Sequence, residues 1–172
     1  NMDNDNDILY FNVNTKELHT YIVNSLKDNV PVWFGSDYDK FNYKDESILN
    51  NQLFSNSDSK KKLYLNKENA IPLYQTNVNH AMLLTGFYYN KSKDKPNYWI
   101  VENSHDNKLK KISYENNQGN VIASNSWFNK YCILACVDEQ YIHNKDIIEK
   151  IKDKKNIIEL PKWSNLGELL VT

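Results

Sequence analysis

The feature that most constrains the fold is a pair of apolar runs separated by a short polar segment. The first run, HAMLLTGFYY, occupies residues 80–89, and the second, YWIVE, occupies residues 98–102. The lysines and turn-forming residues at 91–97 are typical of a connection between antiparallel strands. Gly86 lies inside the first run, as in barrel strands that must bend. The two runs therefore predict an antiparallel hairpin within a bent sheet.

Other apolar segments predict further strands and short helices. Residues 8–13, 31–35 and 131–137 have the length and composition of strands. Thr15 is a plausible N-cap for a helix that ends at Asp28 and Asn29. Helical spacing also predicts a turn at residues 126–131 and a short helix at 146–152. Residues 50–62 are polar and charged and are expected to form a surface loop or an irregular helical segment, and residues 105–120 are expected to be a long polar connection. The predicted class is α+β.

Composition excludes several classes of protein. The 172 residues have the size of one domain, and 40% of them are hydrophobic, which is enough for a core. The formal net charge of -1 gives no indication of a nucleic-acid or lipid partner. No apolar run approaches the ~20 residues of a membrane-spanning helix, and no signal peptide opens the chain. We expect no membrane and no nucleic acid among the partners, and a cytoplasmic location.

Metal and disulfide sites are not expected either. Cys132 and Cys136 are the two cysteines, and residues four apart in a strand are roughly 13 Å apart, too far for a disulfide. Two buried free thiols in a reducing compartment are the expected state. The carboxylates of Asp37 and Asp39 suggest a calcium loop, but the glycine and distal glutamate of that pattern are missing. We therefore expect no metal and no cofactor.

Two polar residues stand at the ends of the hairpin. His80 opens the first strand and Asn103 follows the second. In an antiparallel pair the start of one strand lies beside the end of the other, so these side chains should meet. An asparagine that accepts the imidazole N–H orients a histidine toward a cysteine thiol. The spacing is common, however, and without further context it more often reflects a structural histidine and a turn asparagine.

Five short motifs give this pair a context. They are VWFGSD at 32–37, NHAM at 79–82, WIVENS at 99–104, WF at 127–128 with Tyr131, and PKW at 161–163 with Leu166 and Gly167. Their order resembles the bleomycin hydrolase and aminopeptidase C family, a branch of the papain superfamily of cysteine peptidases. The resemblance runs from about residue 8 to the C-terminus. It implies the β-rich half of the papain-like fold, a bent antiparallel sheet or partial barrel with peripheral helices.

The resemblance also implies roles for particular residues. His80 corresponds to the catalytic histidine and Asn103 to the catalytic asparagine of the family. The nucleophilic cysteine and the oxyanion-hole glutamine of the family lie upstream, and neither Cys132 nor Cys136 has the right context to replace the nucleophile. We therefore expect a thiol aminopeptidase activity in the full-length protein and no hydrolysis by this chain alone. The alternative is a non-catalytic papain-like relative that binds peptides or serves assembly.

The sequence departs from the family pattern at several positions. The superfamily usually carries Asn-Ser-Trp-Gly, in which the tryptophan shields the histidine–asparagine hydrogen bond. In this sequence His105 stands in the place of that tryptophan, after Asn103 and Ser104. A polar residue there is expected to leave that bond wetter and weaker. A second Asn-Ser-Trp begins at Asn125 and is an alternative position for the catalytic asparagine. Ser36 replaces a non-catalytic cysteine.

The resemblance further predicts the domain organisation and the partners. Residues 1–7 are expected to be a disordered N-terminal segment, residues 8–163 the catalytic domain, and residues 164–172 a tail directed to the active-site cleft. In the family the terminal carboxylate pairs with the amino group of a peptide substrate, a role that falls here to Thr172. The implied partners are peptide substrates, the upstream cysteine-bearing half of the same protein, and other copies in a homo-oligomer, which is a hexamer in the family.

Overall fold

The computed structural model describes residues 10–43, 47–52, 65–89, 95–103, 120–153, 155 and 158. Predicted features at residues 1–9, 105–119 and 159–172 therefore lie outside the described residues. Four α-helices are described: α1 (Thr15–Lys27), α2 (Lys67–Ala70), α3 (Asn125–Tyr131) and α4 (Lys145–Lys152). The seven described strands are β1 (Val32–Ser36), β2 (Asn42–Tyr43), β3 (Ile48–Leu49), β4 (His80–Tyr89), β5 (Pro96–Glu102), β6 (Asn120–Ser124) and β7 (Cys132–Cys136).

The strands form one sheet in the order β2-β3-β6-β5-β4-β1-β7. The predicted hairpin is confirmed, since β4 and β5 pair antiparallel with Leu83 opposite Glu102. The register shifts between Leu84 and Gly86, which places an irregularity at the predicted bend. The expectation of a wholly antiparallel sheet is corrected at one pair, because β3 and β6 run parallel. The fold is α+β and papain-like, as predicted.

One face of the sheet packs against α1 and α3. The alternation of strand side chains turns Val32 and Phe34 of β1 into the core and leaves Trp33 44% exposed on the other face. From the helices come residues at helical spacing, including Ile22 of α1 and Phe128 of α3. Burial of each such large apolar side chain contributes about 1.5–3 kcal/mol to stability. The largest fully buried side chains are Trp99, Trp127, Phe34 and Phe128.

The N-cap of helix α1 lies one residue before the predicted one. Asn14, not Thr15, is the N-cap, and its side chain accepts the backbone N–H of Glu17 at 2.9 Å. The Glu17 carboxylate accepts the backbone N–H of Asn14 in return, at 3.3 Å, which completes a capping box. Both residues are strong capping types, and the reciprocal glutamate decides between Asn14 and Thr15. The helix ends before Asp28, as predicted.

Several local predictions need correction. Strands β2, β3 and β6 and helix α2 fall where no helix or strand was predicted, and β6 begins at Asn120, the last residue of the predicted polar connection. Residues 10–13, the described part of the predicted first strand, form no strand. The expectation of two buried thiols is half wrong, since Cys132 is buried and Cys136 is exposed. No helix in the described ranges is long and apolar enough to cross a membrane.

Candidate active site

The hairpin brings His80 and Asn103 together at one end of the paired strands β4 and β5. His80 is the first residue of β4, and Asn103 directly follows β5. The Nε2 atom of His80 lies 2.8 Å from the Oδ1 atom of Asn103. Because an amide oxygen only accepts hydrogen bonds, Nε2 is the protonated nitrogen in this arrangement. Nδ1 is then the ring nitrogen with a lone pair, which is the form that a general base requires.

Tyr38 contacts both members of this pair. The Nδ2 atom of Asn103 donates to the Tyr38 hydroxyl at 2.9 Å. The Tyr38 and His80 rings lie with centroids 4.8 Å apart, tilted by 48°. Tyr38 is 8% exposed, so its ring is buried where it contacts the imidazole. Sequence reasoning missed Tyr38. The expected weakening of the histidine–asparagine hydrogen bond by His105 is not tested, because His105 lies outside the described residues.

A second set of hydrogen bonds ties the Tyr38 segment to the residue that precedes His80. The backbone N–H of Tyr38 donates to the Oδ1 atom of Asn79 at 2.8 Å. Nδ2 of Asn79 donates to Asp37 at 3.1 Å and to Asp39 at 3.2 Å. The carboxylates considered for calcium are thus bound to one amide group, which holds the turn after β1 against the start of β4.

The Asp37 carboxylate anchors this turn to the interior. Asp37 is 2% exposed, and its second oxygen accepts the Thr76 hydroxyl at 2.8 Å. Its backbone N–H donates to the carbonyl of Tyr131, the last residue of α3. Hydrogen bonds offset part of the desolvation cost of a buried carboxylate, and the loss of one partner is therefore expensive. The turn is therefore fixed at the carboxylate, at the amide of Asn79 and along the backbone.

Neither cysteine of the chain is placed as a nucleophile beside His80. Ser36 pairs with His80 across β1–β4 and with Cys132 across β1–β7. Cys132 is thus two strand spacings from His80, roughly 10 Å between Cα atoms. Burial raises the pKa of the Cys132 thiol to about 12, and nearby Lys67 only partly offsets this. Cys136 lies four residues further along the edge strand, opposite Trp33.

The second candidate asparagine has a different partner. Asn125 opens α3, and its Oδ1 atom accepts the indole N–H of Trp99 at 3.1 Å. Trp127, which follows it, is fully buried and donates to the Lys40 carbonyl. The Asn-Ser-Trp at 125–127 is therefore a structural strand-to-helix junction, and the alternative assignment is wrong. Thr172, the third residue singled out from the sequence, lies outside the described residues.

Comparisons with known proteins agree with the motifs. Residues 1–167 match the sequence profile of the Peptidase C1-like family. The chain is 29% identical over 170 residues to aminopeptidase C of Listeria monocytogenes, covering 98% of this chain and 36% of that protein. It is 26% identical over 162 residues to the mitochondrial cysteine proteinase 1 of Saccharomyces cerevisiae, covering 94% of this chain and 32% of the relative. The resemblance drawn from the motifs is confirmed.

A solved structure supports the fold. The crystal structure of PepW from Lactobacillus rhamnosis superposes with a TM-score of 0.75 at 24% sequence identity. The superposition covers 90% of this chain and 33% of that one. The chain thus spans about a third of the length of the relatives that it matches.

Proposed function

Because the chain belongs to the Peptidase C1-like family, we propose that it supplies the catalytic histidine and asparagine of a cysteine aminopeptidase. The observation that carries the proposal is the 2.8 Å contact between Nε2 of His80 and Oδ1 of Asn103. That contact leaves Nδ1 as the basic nitrogen and holds the imidazole ring in one orientation. A thiol peptidase needs this arrangement, because the imidazolium that faces the sulfur must keep one direction throughout the reaction.

In the proposed reaction the Nδ1 atom of His80 transfers two protons, one after the other. Nδ1 takes the thiol proton, which leaves a thiolate and an imidazolium, and the positive charge lowers the pKa of the thiol. The thiolate attacks the peptide carbonyl, and Nδ1 gives the proton to the departing amine as the C–N bond breaks. A water molecule then gives a proton to Nδ1 and attacks the thioester, and that proton returns to the leaving sulfur. At every step the Asn103 oxygen accepts a hydrogen bond from the Nε2–H group of His80.

We place the nucleophilic cysteine outside these 172 residues, on an upstream half of the same protein. The proposal is supported by the burial and raised pKa of Cys132 and by the position of both thiols on the edge strand. It is also supported by the lengths of the relatives, of which the chain spans about a third. The chain alone is then expected to hydrolyse no peptide.

Removal of N-terminal residues requires a group that recognises the free amine of a substrate. We assign this role to the terminal carboxylate of Thr172, which would pair with the substrate ammonium. Attraction between unit charges reaches about 4 kcal/mol at 4 Å for a pair near a protein surface. Truncation of residues 168–172 should therefore lower turnover of aminoacyl amides more than that of N-blocked peptides. A homo-oligomer and a cytoplasmic location are the accompanying proposals, the latter supported by the two unpaired cysteines.

The test is reconstitution with the upstream half. The two parts are co-expressed, and release of a fluorophore from an aminoacyl amide is followed with and without iodoacetamide. We expect alkylator-sensitive turnover that is lost in His80→Ala and kept in the control His143→Ala, since His143 is exposed and hydrogen-bonds to Asn24. A folded complex with no turnover on any aminoacyl substrate would contradict the proposal and favour a peptide-binding or assembly role.

A further inference from the structure

We propose that Tyr38 is a positioning residue of this site, which holds the Asn103 amide and the His80 ring in their working orientation. This inference rests on the proposed function for its catalytic meaning, but its structural part stands on contacts of this chain alone. Tyr38 lies on the turn after β1. The sequence motifs reach only the first residue of that turn, Asp37, and so do not include Tyr38.

The hydroxyl of Tyr38 fixes the amide of Asn103. An asparagine side chain has two ends of similar shape, and rotation by half a turn exchanges its oxygen for its nitrogen. With Oδ1 on His80, the Nδ2 group needs an acceptor, and the Tyr38 oxygen provides one at 2.9 Å. Without that acceptor the amide loses a neutral hydrogen bond, and rotation about the last side-chain bond becomes cheaper.

The ring of Tyr38 acts on His80 directly. The centroid distance of 4.8 Å and the tilt of 48° are those of a packed aromatic pair. A ring in this position excludes water from one side of the imidazole, and the nearby hydrogen bond from Nε2 to Asn103 gains strength in a less polar surrounding. Tyr38 itself is 8% exposed, so it belongs to the packed interior.

The backbone of Tyr38 is held by the residue next to the histidine. Its N–H donates to Oδ1 of Asn79, and the backbone N–H of Asn79 donates to the Ser36 carbonyl at 3.1 Å. Asn79 in turn donates to the buried carboxylate of Asp37. A shift of Tyr38 would therefore have to move the start of β4, and this coupling makes the turn a rigid support for His80.

The first experiment uses the chain as it stands and needs no activity. Exchange of the His80 Nε2 proton with water is measured by NMR in wild type, Tyr38→Phe, Tyr38→Leu and the control Tyr88→Phe. Tyr88 is 58% exposed and lies near the far end of β4. We expect exchange about fivefold faster in Tyr38→Phe, the factor that one neutral hydrogen bond of about 1 kcal/mol represents. Tyr38→Leu should exchange faster still, and Tyr88→Phe should match wild type.

The second experiment uses the complex with the upstream half. Tyr38→Phe should lower kcat about fivefold with KM changed less than about twofold, because positioning of the base acts on the transition state and not on substrate binding. Tyr38→Phe keeps the ring and the fold, so it decides the question even where Tyr38→Leu fails to fold. If Tyr38→Phe leaves both the proton exchange and kcat at wild-type values, the positioning role is refuted. If Tyr38→Phe accelerates the proton exchange but the wild-type complex shows no turnover, the proposed function alone is refuted.

Discussion

A buried histidine away from the candidate site gives the protein a predictable sensitivity to acid. His19 of α1 is 7% exposed and packs edge-on against Trp99, with ring centroids 5.2 Å apart, and against Phe128 at 5.7 Å. Burial lowers the pKa of His19 to about 4. The side chain of Asn129 favours the charged ring, but burial is the larger effect, and neither the Nε2 of His19 nor the Oδ1 of Asn129 has a hydrogen-bond partner among the described residues.

The sign and the size of the effect follow from linkage. The unfolded chain binds a proton at His19 below pH 6.5, whereas the folded chain resists protonation down to about pH 4. Stability is therefore complete above pH 6.5 and is lost as the pH falls through this window. Each unit of pKa difference corresponds to about 1.36 kcal/mol, so the loss is about 2 kcal/mol at pH 5 and levels off near 3 kcal/mol below pH 4.

The assay compares urea unfolding at pH 7.5 and pH 5 in wild type and His19→Phe. Phenylalanine keeps an aromatic ring against Trp99 and Phe128 and cannot be protonated. The wild type should lose about 2 kcal/mol more than the variant between the two pH values. The control His143→Gln alters an exposed histidine and should retain the wild-type loss. An equal loss in wild type and His19→Phe would show that His19 does not cause the sensitivity to acid.

Two further predictions concern packing and thiol reactivity. Gly35→Ala should lower the free energy of unfolding by about 1–3 kcal/mol, because the new Cβ would lie 2.9 Å from a Val78 methyl group. Gly86→Ala, whose Cβ would meet a flexible isoleucine end at 3.1 Å, should change it by less than about 1 kcal/mol, and equal urea midpoints for the two variants would contradict this. Iodoacetamide at pH 7.5 should label the exposed Cys136 in the native chain and Cys132 only after unfolding, because burial raises the pKa of Cys132 to about 12. Peptide mass spectrometry checks this, and equal native labelling of both thiols would show it to be wrong.

The hairpin was predictable because each of its two strands is a long apolar run that can be identified from the sequence by itself. Ten residues of β4 and seven of β5 are long enough for composition to distinguish strand from loop. Antiparallel pairing then places His80 near Asn103 without further information. By contrast, β2 and β3 have two residues each and exist through pairing with their neighbours, so a local pattern cannot reveal them.

Tyr38 and Cys136 show a second kind of limit. The contact of Tyr38 with His80 depends on the conformation of a turn, in which Phe41 takes a positive φ of 53°. Single-sequence reasoning gives no such backbone angle for a residue other than glycine. Cys132 and Cys136 lie on the same strand four residues apart, yet β7 is an edge strand with a register shift opposite Ser36, so one end is covered and the other is open.

In the proposed function, His80 of this chain activates a cysteine supplied from outside it. The most direct measurement is the ultraviolet absorbance of the thiolate when the chain is combined with its upstream half near neutral pH, in wild type and in His80→Ala. We expect thiolate absorbance that appears in the wild-type complex, disappears on alkylation, and is absent with His80→Ala. The same thiolate absorbance with and without the imidazole of His80 would contradict it.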